Sequence, residues 1–309
     1  MPGAVRVPGY RRSMHIASHN VNGIRAAHRR GFATWLSERD YDVVGLQEVR
    51  CRIADLPEGV WCDRYATYDP GELAGRNGVA LLTRTPPVEV RSWSGAAVTF
   101  APSGSATVQT LVPALARELT VFRTHGRYIE VDLAEAPLTI ACVYVPKGDS
   151  PLLAPGDEKV QGRYDAKMAF LNGFAKQLDR ARRDANRKGR EFLVVGDFNI
   201  AHTNLDLKNW RSNQKTSGFL PEEREWLSTV INPRTLVDVT RSLHPQSDGP
   251  YSWWSWRGQA FANDTGWRID YHLASPALAK SAVSAHVDRE DSYDDRISDH
   301  AAVVVNYAI

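Results

Sequence analysis

Five stretches of this chain close an apolar run on groups capable of chemistry. Asn20 and Asn22 lie in HNVNG, Glu48 in GLQE, Asp197 and Asn199 in VVGDFN, Asp270 in WRIDYHLAS, and Asp299 with His300 in ISDH. Each has an ordinary reading when taken alone. Asn before Gly suits a turn, because Asn tolerates positive φ. A lone Glu after a strand is commonly a loop residue, and an Asp-His pair before a strand is commonly a solvated turn. Together they are harder to dismiss, since burying several carboxylates at one place is costly unless a metal or a substrate uses them. The donor set is rich in oxygen, which suits Mg²⁺ or Mn²⁺ and not Zn²⁺. A histidine beside such groups suits phosphate-ester hydrolysis, as a cationic phosphate partner or a proton-transfer group.

For these residues to meet, their strands must end at one sheet edge. Apolar runs and alternation predict strands at MHIASHN, YDVVGLQEV, GVALLTR, RYIEVDL, LTIACVYVP and EFLVVGDFN, with AEAP as a hairpin turn. LVDVTRSL, YSWWSW, RIDYHLAS and AAVVVNYAI complete the pattern. GFATWLSERD reads as a helix, with Phe32, Trp35 and Leu36 on one side. Met168, Leu171, Phe174 and Leu178 have helical spacing in a stretch that ends at Gly189, and Pro221 opens a further helix. Residues 91–123 mix Gly/Ser turns with apolar patches and predict a surface excursion with a short helix or hairpin. With no internal repeat and no long linker, the expectation is one α/β domain over residues 14–309, behind a disordered tail of residues 1–13.

Composition narrows the function classes. The chain has 309 residues, 43% of them hydrophobic, enough for a sizeable core. A net charge of +2 neither demands nor excludes nucleic acid, because 38 basic residues can cluster on one face. Cys51, Cys62 and Cys142 have no metal-site spacing and read as reduced thiols in a cytosolic setting. No stretch approaches the ~20 apolar residues of a membrane span, and no apolar signal segment precedes MHIASHN.

The sequence resembles the exonuclease III family of apurinic/apyrimidinic endonucleases, within the endonuclease/exonuclease/phosphatase superfamily. The resemblance is carried, in order, by NVNGIRAA, GLQEVR, GVALLTR, VYVPKG, GDFNIAHTNLDLKN, SGFLPEERE, GWRIDYHLAS and SDH. It implies a four-layered α/β sandwich, with two mixed or antiparallel sheets packed face to face and helices outside. It implies Mg²⁺, with Mn²⁺ able to substitute, at a site drawn from Asn20, Glu48, Asp197, Asn199 and Asp299, with Glu48 the principal ligand. Catalysis would fall to Tyr144, Asp197, Asn199, Asp270 and His300. Asp197 would orient or deprotonate the attacking water or protonate the leaving oxygen, and His300 would contact the phosphate, oriented by Asp270. Asn22, Arg25, Asn213, Trp253, Trp256 and Trp267 would bind substrate, the tryptophans by walling a pocket that accepts a bare sugar.

The implied partner is double-stranded DNA with abasic sites or blocked 3′ ends, cut 5′ of the lesion by a cytoplasmic, nucleoid-associated monomer with no membrane partner. Arg25, Arg29, Arg30, Lys147, Lys208, Arg211, Lys215 and Arg257 are candidates for backbone contact, which would be salt-dependent. The run from Arg180 to Arg190 ends a helix and reads as a solvated face matched to the helix dipole. Two departures stand out: residues 91–123 are longer and more apolar than the resemblance leads one to expect, and Thr216 stands where some relatives carry an amide. The alternative is a non-specific nuclease or another phosphodiesterase of the same superfamily. A non-enzymatic DNA-binding protein on this fold would not need the full set of polar strand ends.

Overall fold

A computed structural model describes residues 13–73, 75–106 and 108–309. Residues 1–12 of the expected 1–13 tail lie outside the described residues, while its last residue, Ser13, belongs to the first strand instead. The strands are β1 (Ser13–Asn20), β2 (Val43–Gln47), β3 (Tyr65–Asp69), β4 (Val79–Thr83), β5 (Glu89–Ser92), β6 (Val98–Ala101), β7 (Gly104–Ala106), β8 (Thr110–Leu111), β9 (Tyr128–Asp132), β10 (Leu138–Tyr144), β11 (Glu191–Asp197), β12 (Val237–Asp238), β13 (Asp270–Ala274), β14 (Ala282–Asp288) and β15 (Ala302–Ala308). The helices are α1 (Ile24–Arg29), α2 (Phe32–Arg39), α3 (Glu158–Arg187), α4 (Pro221–Val230), α5 (Val239–Leu243) and α6 (Pro276–Lys280).

Two mixed sheets result. One has the order β14-β15-β1-β2-β4-β3-β6-β7, the other β12-β13-β11-β10-β9-β5-β8. β1 pairs parallel with β2, and β10 with β11. Parallel neighbours need a crossover, and α1 with α2 supply one while α3 supplies the other. The same registers decide where chemistry gathers. Asn20 lies opposite Gln47, and Tyr144 opposite Asp197, so both parallel pairs end together. β13 runs antiparallel to β11 and begins with Asp270 opposite Asp197. β15 runs antiparallel to β1, which brings the residues preceding it to the same edge.

Alternation along the strands builds the layers. In β2, Val43 faces the second sheet, while Val44 and Leu46 face Phe32, Trp35 and Leu36 of α2. Between the sheets lie Ile16, Leu81, Ile129, Val131, Ile140, Leu193, Val195 and Val305. Beneath the second sheet, Phe170, Leu171, Phe174 and Leu178 of α3 pack on Ala141, Val143 and Val194. Burying each such side chain stabilises the fold by about 1.5–3 kcal/mol. Helix, sheet, sheet and helix make the four layers, as expected.

Three local expectations are corrected. LVDVTRSL is a two-residue strand that turns into α5, because Asp238 caps the helix by accepting from the Arg241 amide. YSWWSW forms only isolated bridges, at Trp253. Residues 91–123 do contain the expected hairpin, β6–β7, and a short 3₁₀ helix, but they are no mere excursion: they contribute edge strands to both sheets, and Leu119 and Phe122 of the 3₁₀ helix join the core under α3. Cys51, Cys62 and Cys142 are free thiols. Among the described residues no helix is long and apolar enough to cross a membrane.

Candidate active site

The chain turns sharply where the parallel strands end. Asn22, Glu48, Arg50 and Asn199 all adopt φ between 46° and 53°, in the left-handed region. For Glu and Arg this is an unfavourable conformation, held in place by the surrounding structure. Backbone bonds do the holding at Glu48: its carbonyl accepts from the Gly23 amide, and the Val49 amide donates to the Gly78 carbonyl. Gly196, at φ 147°, precedes Asp197, and a Cβ there would lie 2.0 Å from the Val143 carbonyl oxygen. Only glycine fits that approach.

These turns assemble a web of carboxylates and amides. Asn20 is fully buried, and its Nδ2 donates to Glu48 Oε1 at 2.8 Å and to Asp197 Oδ2 at 2.9 Å. Its Oδ1 accepts from the Asn22 amide, so Asn20 acts here as a strut between two acids. Asn22 Nδ2 donates to Asp299 Oδ1 at 2.8 Å, and Arg50 Nη1 donates to Asn22 Oδ1 at 2.7 Å. Asn199 donates twice to Asp197, from its backbone amide to Oδ1 at 2.8 Å and from Nδ2 to Oδ2 at 3.2 Å. Trp253 Nε1 donates to Asp299 Oδ2 at 3.1 Å.

His300 stands at the centre. Its Nδ1 lies 2.9 Å from Asp270 Oδ2, which also accepts from Ser252 Oγ at 2.6 Å. Its Nε2 lies 3.9 Å from Asp197 Oδ2. Burial opposes the imidazolium, but the charge and hydrogen bond of Asp270, with the charges of Asp197 and Asp299, outweigh it and raise the His300 pKa to about 9. Burial, reinforced by the charge of Asp270, pushes Asp197 up to about 7, against the pull of His300, Asn199 and Asn20. Asp299 goes the other way: burial would raise it, yet His300, Trp253 and Asn22 hold it below the usual carboxylate range. The site therefore holds a cation at His300, an anion at Asp299, and a carboxyl at Asp197 poised to exchange a proton near neutrality.

These groups open onto a cleft of about 260 Å³, lined by Asn22, Glu48, Tyr144, Asp197, Asn199 and His300 together with Thr216, Gly218, Trp253 and Trp267. Burial pushes the Tyr144 phenol up to about 12, and its ring lies 4.9 Å beneath the Arg127 guanidinium. Trp253 and Trp267 bridge backbones and meet edge to face at 6.2 Å. Not every expected residue arrives. Trp256 packs elsewhere, between Arg30 at 4.7 Å and Arg296 at 4.1 Å. Asn213 is one step removed: its Oδ1 accepts from Thr216 Oγ1, and its Nδ2 donates to the Asn209 carbonyl. Arg25 is exposed on α1 and does not line the cleft.

Of the basic residues, Lys147 lines the cleft, Arg211 lies over the Trp210 ring, and Lys208 pairs with Asp248. The run from Arg180 to Arg190 is spent on structure: Arg182 and Arg183 pair with Asp179, and Arg190 donates to the carbonyls of Ala136 and Leu138. Four contributors are not singled out by sequence pattern: Ser252, Arg50, Arg127 and Ser298. Arg50 and Ser298 lie inside GLQEVR and SDH, a signal within reach. Ser298 Oγ donates to the Asn20 carbonyl at 2.7 Å, tying the end of β1 to the segment before β15.

A divalent cation fits this donor set. One ligand atom each from Glu48, Asp197 and His300 lie within 4.8 Å of one another. Glu48 Oε2 is buried, accepts no hydrogen bond and is ion-paired with the Arg50 guanidinium. A carboxylate oxygen left in that state is suited to a hard cation. His300, held as imidazolium, is the least apt of the three to ligate.

Comparison with known proteins agrees with this geometry. The Endonuclease/Exonuclease/phosphatase family matches residues 17–300. An exodeoxyribonuclease of Bacillus subtilis is 28% identical over 294 residues, covering 94% of this chain and 98% of that protein. DNA repair nuclease APEX1 of Danio rerio is 28% identical over 273 residues, covering 86% and 74%. Among solved structures, an AP endonuclease from Archaeoglobus fulgidus superposes with a TM-score of 0.71 at 23% identity, covering 96% of this chain and 100% of that one. A 3′ phosphatase from Neisseria bound to a product DNA hairpin gives 0.71 at 21% identity, covering 95% and 99%.

Proposed function

This chain belongs to the Endonuclease/Exonuclease/phosphatase family, and we propose that within it the protein is a Mg²⁺-dependent abasic-site DNA endonuclease. It would hydrolyse the phosphodiester 5′ of the lesion to leave a 3′-hydroxyl, and its cleft would also take blocked 3′ ends. The observation that carries this reading is the convergence of Glu48, Asp197, Asp299 and the Asp270–His300 pair on one cleft walled by Trp253 and Trp267. The relatives named for exodeoxyribonuclease, DNA repair and AP endonuclease activities support the substrate class.

The chemistry follows from the charges. A phosphodiester is anionic, and attack by water raises the charge on its oxygens. His300 Nε2–H meets that charge as a donor, kept protonated by Asp270. Asp197 is basic enough near neutral pH to take a proton from water, and the two bonds from Asn199 fix its direction. Tyr144 adds a hydroxyl, which burial keeps protonated. Mg²⁺, or Mn²⁺ in its place, would be held by Glu48 with Asp299, and by Asp197, Asn20 or Asn199, and would act as a Lewis acid on the phosphate.

Selectivity follows from size. The cleft, at about 260 Å³, is smaller than a usual drug-sized pocket of roughly 300–1,000 Å³. A base-free sugar enters it, and an abasic nucleotide is cheap to extrude because nothing is unstacked. The test is a duplex oligonucleotide carrying one stable abasic analogue, beside an undamaged control, with Mg²⁺ or EDTA. Mg²⁺-dependent incision at the lesion alone is expected. No incision would sink the proposal, and equal cutting of both duplexes would point to a non-specific nuclease.

A further inference from the structure

α3 and α4 carry a charged pair that the reaction does not touch. Lys167 and Glu223 are both 0% exposed, with Nζ 2.7 Å from Oε1. Replacing such a buried pair by apolar residues is often neutral or stabilising, so stability alone does not explain it. What the pair holds does. Lys167 Nζ donates to the Asn199 carbonyl at 2.9 Å and the Lys147 carbonyl at 3.0 Å, which with Glu223 fills its three donor positions. Glu223 Oε2 accepts from the backbone amides of Gly218 at 2.6 Å and Leu220 at 3.1 Å. Ser217 Oγ lies 3.3 Å from Glu223 Oε1 and donates to the Lys147 carbonyl at 2.9 Å.

The tethered segments are one wall of the cleft: Lys147, Asn199, Ser217 and Gly218 all line it. They also carry backbone that is unfavourable without support. Asn199 sits at φ 51° and Gly148 at φ 70°, and a Cβ on Gly148 would lie 2.6 Å from Lys167 Cδ. The loop is moulded to the Lys167 stem and pinned by its ammonium group. Asn199 is the residue whose amide and Nδ2 aim Asp197, so the tether reaches the proton-transfer carboxyl through a single backbone carbonyl.

We propose that the Lys167–Glu223 pair is a positioning element for hydrolysis, acting through Asn199 to fix the direction of Asp197 and through Gly218 to set the adjoining part of the same wall. The inference rests on reading the cleft as a phosphodiesterase site. It differs from that reading in placing function on two residues that substrate never meets.

The experiment is a double-mutant cycle of Lys167→Met with Asn199→Ala, read as kcat and KM on the abasic duplex with Mg²⁺. Lys167→Met should lower kcat on the order of 100-fold while KM moves by less than about threefold, the cost of small misplacement at a reacting centre. In the Asn199→Ala background the same change should cost less than about fivefold. Near-normal turnover in Lys167→Met, or losses that multiply in the double variant, would overturn the proposal. If Lys167→Met does not fold, Glu223→Gln takes its place in the cycle, where the same losses support the proposal and the same results overturn it, since Gln keeps an acceptor for Gly218. Hydrogen exchange at the Asn199 backbone amide reads the tether directly: faster exchange in the variant supports it, unchanged exchange overturns it. A wild-type protein that leaves the abasic duplex intact would refute the function reading, and the exchange measurement would still decide this one.

Discussion

Asp270→Asn is the most informative single change in the site. The substitution keeps the shape of the side chain and an oxygen for Ser252 Oγ, but removes the charge that stands first among the forces raising His300. With that charge gone, burial acts against the imidazolium with only the more distant Asp197 and Asp299 opposing it. We expect the His300 pKa to fall from about 9 to 6.5 or lower, worth roughly 3 kcal/mol of preference for the charged form. At pH 7.5 the imidazolium would drop from nearly all molecules to about one in ten, so turnover falls at least ~10-fold from population alone. The assay is an NMR pH titration of the His300 ring in the metal-free protein, paired with a pH–rate profile on the abasic duplex. The alkaline limb of the profile should move toward neutral pH along with the ring. A thermal melt controls for folding, since Asp270 Oδ1 is buried without a partner and an amide there has nothing to donate to. A His300 titration in the variant within about half a pH unit of wild type would refute the electrostatic argument, whatever happened to the rate.

Other outcomes follow from the same geometry. Glu48→Gln should weaken Mn²⁺ binding at least ~10-fold by calorimetry while the melting temperature holds; unchanged affinity would remove Glu48 from the metal site. His272 is buried between Val303 and Tyr307, and burial lowers its pKa to about 4. A depressed histidine gives stability that is full above pH ~6.5 and lost as pH falls toward 4, roughly 3 kcal/mol in all. Urea unfolding at pH 7.5 and pH 4.5 should therefore show a smaller acid loss in His272→Gln than in wild type, and parallel losses would contradict this. Phe174 is fully buried against Trp93, Tyr128, Phe170, Phe198 and Trp226, so Phe174→Ala should cost about 3–5 kcal/mol in urea unfolding. A cost below ~1 kcal/mol would mean that the α3 face collapses to fill the space.

The strand ends were legible because each polar group flanks an apolar run, closing β1, β2 and β11 and opening β13 and β15, and the runs alone locate these strands. What brings the ends together was only partly legible: strand pairing decides that Tyr144 and Asp270 flank Asp197, and pairing is a long-range property. Periodicity alone could not sort the tryptophans, although the resemblance favours Trp253 and Trp267 by position. YSWWSW has the look of alternation, but without a strand no period tells Trp253, in the cleft, from Trp256, stacked on arginines. Lys167 was hidden for a related reason. A lysine on an amphipathic helix reads as solvent-facing unless its partner is known, and Glu223 lies on another helix. Ser252 was hidden among aromatics, its role set only by Asp270 across the sheet edge.

The pairing of β1 with β15 has a consequence for how the molecule is made. β1 can pair with β2 as soon as residues 43–47 have followed it, yet its other edge waits for residues 302–308. Until then a nascent chain carries an open strand edge in the middle of its larger sheet, where stray pairing with other chains is a hazard. The same delay withholds Asp299 and His300. A stalled or clipped chain ending before them would keep Glu48 and Asp197 but lack the carboxylate and imidazole that complete the cleft, so under the proposed function no partly built chain could cut before the sheet is closed.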